Sequence, residues 1–134
     1  MMVAGAGSIV ALFSCGHDEQ PAGACINVAA SCSPAYEPTF DNVFRNTLKP
    51  SCALAGPSCH AAAGMKAGLV LEDVDTAFRL LGERGRAVPG DPQCSLVTRR
   101  IESSDVGFMM PPGLPLPPGE KCAIVQWVAH GAQR

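Results

Sequence analysis

Apolar positions along the chain are grouped unevenly, and the grouping predicts short helices separated by long loops. Val3 to Phe13 is an unbroken run of apolar and small residues. It falls well short of the roughly 20 residues that carry a helix across a bilayer. From Gly16 to Pro38 no apolar period of 3.6 or 2 is sustained, and the segment reads as a flexible tether over 15–38. Periodicity begins with Phe40, Val43, Phe44 and Leu48, one face of a helix that Thr39 caps and Pro50 stops. A second helix carries Ala77, Phe78, Leu80 and Leu81, with Asp75 as its cap and Gly82 and Gly85 beyond it. A third opens at Asp91-Pro92 and buries Leu96, Val97 and Ile101. The prolines from Pro111 to Pro118 exclude helix, and a last helix follows from Gly119 to His130, with Ile124, Trp127 and Val128 inward and Gly131 at its end. The pattern predicts an all-α unit over 39–134: four short helices joined by long, ordered loops.

Composition changes this picture in two ways. Glycine (14) and proline (12) fill about a fifth of the 134 residues, against roughly an eighth in average usage. One tryptophan, one tyrosine and five phenylalanines leave the core thin, so something else is expected to reinforce it. Seven cysteines in so short a chain point to an oxidising compartment. The formal charge of −2 comes with no basic run to track phosphates, so nucleic acid is not an expected partner.

The first apolar run ends in Leu12-Phe13-Ser14-Cys15-Gly16, which resembles the lipobox of bacterial lipoproteins. The resemblance implies a signal segment over 1–14, lipidation at Cys15, and a protein on the periplasmic side of the cell envelope, anchored to a membrane by lipid. The sequence departs from a standard signal in having no Lys or Arg before the apolar run.

The remaining cysteines invite pairing. Cys25 and Cys32 lie close together in the tether, where a local disulfide is expected; Cys94 and Cys122 are placed for a long-range staple between the last two helices. Cys52 and Cys59 differ, because His60 directly follows the second of them. In a Cys-x-x-Cys-His site both thiols bond covalently to haem and the adjacent histidine ligates iron, which is why cysteine and histidine are neighbours there. Here six residues separate the cysteines, and Gly56-Pro57 supplies turn residues with which such a spacer can loop out. A Cys52–Cys59 disulfide beside a surface His60 satisfies the same residues. Zinc lacks a fourth ligand close by. Met109 and Met110 are read first as packing, His130 as a helix-end charge and His17 as part of the tether.

Taken in order, the first helix, the cysteine pair with His60, Gly68-Leu69-Val70-Leu71, Val88-Pro89-Gly90-Asp91-Pro92, Ser95-Leu96-Val97, Met110-Pro111-Pro112 and the Trp127-Val128 helix resemble small cytochrome c-like domains of planctomycete and myxobacterial exported proteins. The resemblance implies haem c bound through Cys52 and Cys59, iron held by His60, and Met110 on the iron's opposite face. A His/Met pair raises the haem potential and suits one-electron transfer. The implied partners are redox proteins at the membrane surface. No phosphate loop, His-Glu-x-x-His helix or nucleophile elbow is present, so an enzyme is not expected. A haem-free, disulfide-stapled structural or interaction lipoprotein is the alternative expectation.

Overall fold

Thr39 sets the first helix: its backbone is extended, and its hydroxyl accepts from the Asn42 N–H. The computed structural model describes residues 23–134. The expected signal segment, the lipidation at Cys15, His17 and the first part of the tether lie outside the described residues. Helical backbone then runs over 40–52, and Pro50 does not stop it. A π turn, Phe44–Leu48, comes just before, with the Lys49 N–H reaching back to the Phe44 carbonyl. In an α-helix a proline ring collides with the carbonyl four residues earlier. The wider π turn relieves that collision, and the helix continues through Cys52.

The second helix spans Val74–Leu81. Its cap is Asp73 rather than Asp75: Asp73 Oδ1 accepts from the Thr76 N–H at 2.9 Å. Asp75 instead faces Arg134. The third helix, Leu96–Glu102, starts later than Asp91-Pro92 predicts. Asp91 Oδ1 accepts from Cys94 N at 3.0 Å and its carbonyl from Ser95 N at 3.2 Å, so the aspartate builds a turn that leads into the helix. The last helix, Pro118–Ala129, has its proline at the first helical position. Among the described residues no strand is present.

The aromatic centre of the core is Phe40, fully buried, with its ring centroid 5.0 Å from Phe78 and 5.2 Å from Trp127. Leu48, Leu71, Leu81, Ile101, Ile124 and Val128 close around it. The predicted stripe Ile124, Trp127 and Val128 is buried, and so are Cys122, Ala123 and Val125. A helix buried on more than one side needs a second cover, and residues 23–38 provide it.

That segment is a fastened strap, not a flexible tether. Two disulfides hold it, Cys25–Cys94 and Cys32–Cys122. The expected pairings of Cys25 with Cys32 and of Cys94 with Cys122 are corrected by this arrangement. The strap is anchored at separate points, on the turn before the third helix and along the last helix. Ile26 N–H donates to the Gln93 carbonyl at 3.0 Å and Ala35 N–H to Gly119 at 2.9 Å. Gln126 Nε2 donates to the Ala30 and Cys32 carbonyls, each at 2.9 Å. Tyr36 reaches the buried Thr47 hydroxyl, which donates in turn to Glu120 Oε2 at 2.8 Å. Cys25 therefore meets Cys94 in the turn before the third helix, and Cys32 meets Cys122 on the last helix.

Candidate functional site

The first helix ends by delivering Cys52 to the start of a long loop. Ala53 N–H donates to the Leu48 carbonyl at 3.2 Å, a five-residue span that continues the π character of this helix. His60 N–H donates to the Cys52 carbonyl at 2.9 Å, closing the spacer at its base. Leu54, Ala55, Pro57 and Ser58 are exposed, and Cys59 N–H turns back to the Gly56 carbonyl at 3.2 Å. The six-residue spacer thus loops outward and returns Cys59 and His60 to the end of the helix. Gly64 is required by this return: a Cβ there would lie 2.0 Å from the Gly56 carbonyl oxygen and 2.9 Å from that of Cys59.

Cys52 and Cys59 are both free thiols, so the disulfide between them weighed from sequence is not formed. Burial pushes the Cys52 thiol up to about 12, and the neighbouring Cys59 and Glu120 act in the same direction. Cys52 is therefore held as the neutral thiol. The half-buried His60 donates from Nδ1 to the Lys66 carbonyl at 3.1 Å, since a carbonyl only accepts. That bond leaves the Nε2 lone pair free. Burial holds the imidazole below the ordinary histidine range, and the Arg100 and Arg86 charges push the same way against the carbonyls of Leu69 and Lys66. A neutral ring with one unengaged nitrogen is the form that binds a metal.

Met110 sits on the loop after the third helix, its N–H donating to the Arg100 carbonyl at 3.0 Å. Met109 is 7 % exposed and belongs to the interior, whereas Met110 is half-buried. Arg100 connects this loop to the histidine electrostatically: its guanidinium donates to the Phe108 carbonyl at 3.0 Å, stacks 4.5 Å from the Phe108 ring, and its charge bears on His60. The exposed His130 caps the last helix through its N–H to Gln126. Among the described residues, no group of three or more His, Cys, Asp or Glu is placed to hold a metal ion.

Several contributors were not apparent from the sequence. Glu72 accepts from the Ala62 N–H at 2.7 Å, and Asp73 caps the second helix. Arg86, the Lys66 carbonyl and Gly64 shape the loop, and only Gly64 belongs to a residue type that marks such sites.

The donor set fits a covalently attached haem in its chemistry: two reduced thiols at the two ends of one spacer, a neutral imidazole whose Nε2 carries the lone pair, and a thioether on a second loop. The large exposed apolar side chains lie on these loops, Leu54 and Met65 on the first, Val106 and Leu114 near Met110.

Residues 57–113 match the family model described as Planctomycete cytochrome C. The match supports a cytochrome c-like domain of the planctomycete type. The matched stretch takes in Cys59, His60 and Met110 and begins after Cys52, at the point where the spacer departs from the usual signature. No curated protein and no solved structure matches the chain. The two disulfides and this family point to an exported protein; no helix among the described residues is long and apolar enough to cross a membrane.

Proposed function

We propose that this chain, with its cytochrome c-like domain of planctomycete type, is an exported one-electron carrier that binds one haem c. The carrying observation is the state of His60: Nδ1 is committed to the Lys66 carbonyl, and the neutral ring presents Nε2. Cys52 and Cys59 would attach the haem through their thiols, and His60 and Met110 would hold its iron. When bound, the haem supplies reversible one-electron chemistry. The protein's own part is to keep two thiols reduced while four other cysteines are oxidised, to fix the imidazole, and to offer Leu54, Met65, Val106 and Leu114 as apolar cover. The chain catalyses no reaction of its own in this reading. Its partners are redox proteins at a membrane surface, where lipid on Cys15 anchors it on the periplasmic side.

The second reading is a haem-free, stapled interaction module, and the two disulfides favour it. They reinforce a core that already closes around Phe40 and Trp127. One experiment separates the two. The chain is expressed in a periplasm with haem-ligation machinery, and its reduced-minus-oxidised visible spectrum is recorded with a haem stain after denaturing electrophoresis. A sharp reducible band that survives denaturation, and is lost in Cys59→Ser, supports the carrier. A colourless protein with both strap disulfides intact removes it.

A further inference from the structure

Among the described residues Arg86 is the one buried charged side chain, 6 % exposed. Desolvating a guanidinium is costly unless its donors are met. Two backbone carbonyls accept from it: Nη1 donates to Leu80 at 2.7 Å and Nη2 to Ala67 at 2.8 Å. Leu80 lies in the last turn of the second helix. Ala67 belongs to the turn that also carries Lys66, the partner of His60 Nδ1.

That turn is one the chain does not adopt freely. Met65 has φ 44° and Ala67 φ 54°, in the left-handed region where a Cβ meets the following carbonyl and which non-glycine residues visit rarely. Such a conformation persists only when its surroundings over-determine it. Backbone bonds from Lys66 N to Cys59, Gly68 N to Met65 and Leu69 N to Lys66 contribute, yet all of them lie within the loop. Arg86 brings the hold from outside. Its own backbone is pinned by Arg86 N to Glu83, by Val97 N to Arg86 and, next to it, by Ala87 N to Leu81, so the guanidinium reaches the turn from a rigid base.

We propose that Arg86 is a positioning residue: by gripping the Ala67 carbonyl it fixes the left-handed turn over 65–68, keeps the Lys66 carbonyl on His60 Nδ1, and so selects Nε2 as the nitrogen left for iron. The purpose of the selection rests on the haem reading. The hydrogen-bond chain itself is a property of the protein before any haem is attached.

The test reads the His60 ring nitrogens by ¹⁵N NMR in the haem-free protein at pH 8. The parent is expected to show the Nδ1–H tautomer. Arg86→Gln lowers the Nδ1–H to Nε2–H ratio about fivefold, the weight of one ordinary hydrogen bond. Arg86→Lys, whose ammonium lacks the two-pronged guanidinium fork, gives an intermediate ratio. Ala67→Gly added to Arg86→Gln restores part of the shift, because glycine takes a positive φ without steric cost. An unchanged ratio in a folded Arg86→Gln protein overturns the proposal. Should that variant fail to fold, hydrogen exchange in the parent decides: Arg86 Nη–H and His60 Nδ1–H are expected to lose protection together on warming, and a His60 proton that stays protected after Arg86 exchanges overturns it. A tautomer shift in a protein that never acquires haem keeps the role of Arg86 and removes the carrier reading. Haem bound with the tautomer insensitive to Arg86 does the reverse.

Discussion

The strap over 23–38 and the loop over 53–68 are both irregular chain, yet they are held in opposite ways. The strap is fastened by two covalent bonds joining residues 69 and 90 positions apart. The loop is held by hydrogen bonds, a glycine that admits close approach, and a buried arginine, while its two cysteines remain thiols. Cross-links over long separations remove much of the unfolded chain's freedom and stabilise without asking for a large core. The free thiols of the loop supply no such cross-link. Four cysteines thus serve the fold, and the two that remain thiols are the ones the proposed haem would use.

Removing the staples tests that division most severely. Cys25→Ala with Cys94→Ala, or Cys32→Ala with Cys122→Ala, is expected to cost about 2–5 kcal/mol in urea unfolding, and loss of both pairs to abolish folding at 37 °C. Cys59→Ser in the haem-free protein is expected to stay within about 1 kcal/mol of the parent. Equal costs on the two sides would erase the contrast.

Cys52 sharpens the comparison from the other side. A thiol raised from 9.0 to about 12 holds about a thousandfold less thiolate near pH 8 than an unfolded cysteine. In a Cys59→Ser background, iodoacetamide is therefore expected to label Cys52 two to three orders of magnitude more slowly in the folded protein than in urea. The linked stability has a definite sign. The folded value lies above the unfolded one, so the contribution is complete below about pH 9 and is lost as pH rises towards about 12. Cys52→Ala should flatten the alkaline limb of stability against pH; an unchanged limb would count against burial as the cause.

The sequence made the helices legible where apolar spacing and caps agreed, as at Thr39 with Phe40, Val43 and Leu48, and at Ile124, Trp127 and Val128. It misled wherever one residue type serves two conformations. Pro50 reads as a stop because the α-helix is the default against which prolines are judged, and a π turn changes that default. Asp91-Pro92 reads as a helix start because a capping aspartate and a turn-forming aspartate make the same local bond. The cysteine pairing failed for a different reason: sequence proximity favours Cys25 with Cys32, whereas pairing is decided by where the strap runs. Cys59, His60 and Met110 were legible as types in a familiar order. The grip of Arg86 on Ala67 was not, since nothing in a sequence shows which carbonyl a guanidinium will reach.

A methyl group offers a smaller probe of the hydrogen-bonded loop. Gly64→Ala places a Cβ against two backbone oxygens, of Gly56 and Cys59, neither of which belongs to a flexible side chain. The spacer must shift, at a cost of about 1–3 kcal/mol in denaturant unfolding. The strap should be untouched, with both disulfides recovered in peptide mapping. A neutral Gly64→Ala would show that the spacer does not return against residue 64.

The smallest effect expected is the acid response of His60. Its folded pKa lies below the ordinary value, first because burial disfavours the charged ring and then because the Arg100 and Arg86 charges repel it, against the opposing pull of the Leu69 and Lys66 carbonyls. The unfolded chain therefore binds the proton more readily than the folded one, so stability rises with pH across the window below the ordinary histidine value and is level above it. Acidification from pH 7 to pH 5 should destabilise the haem-free parent, and His60→Gln should remove that part of the slope, read as urea midpoints at each pH. The half-buried ring keeps part of its hydration, which limits the size of the effect. The strap carries no histidine from 23 to 38, so proton sensitivity in this range should follow the loop. If His60→Gln leaves the acid limb unchanged, the loop does not hold the imidazole neutral, and the reason for expecting Nε2 to be free for a metal falls with it.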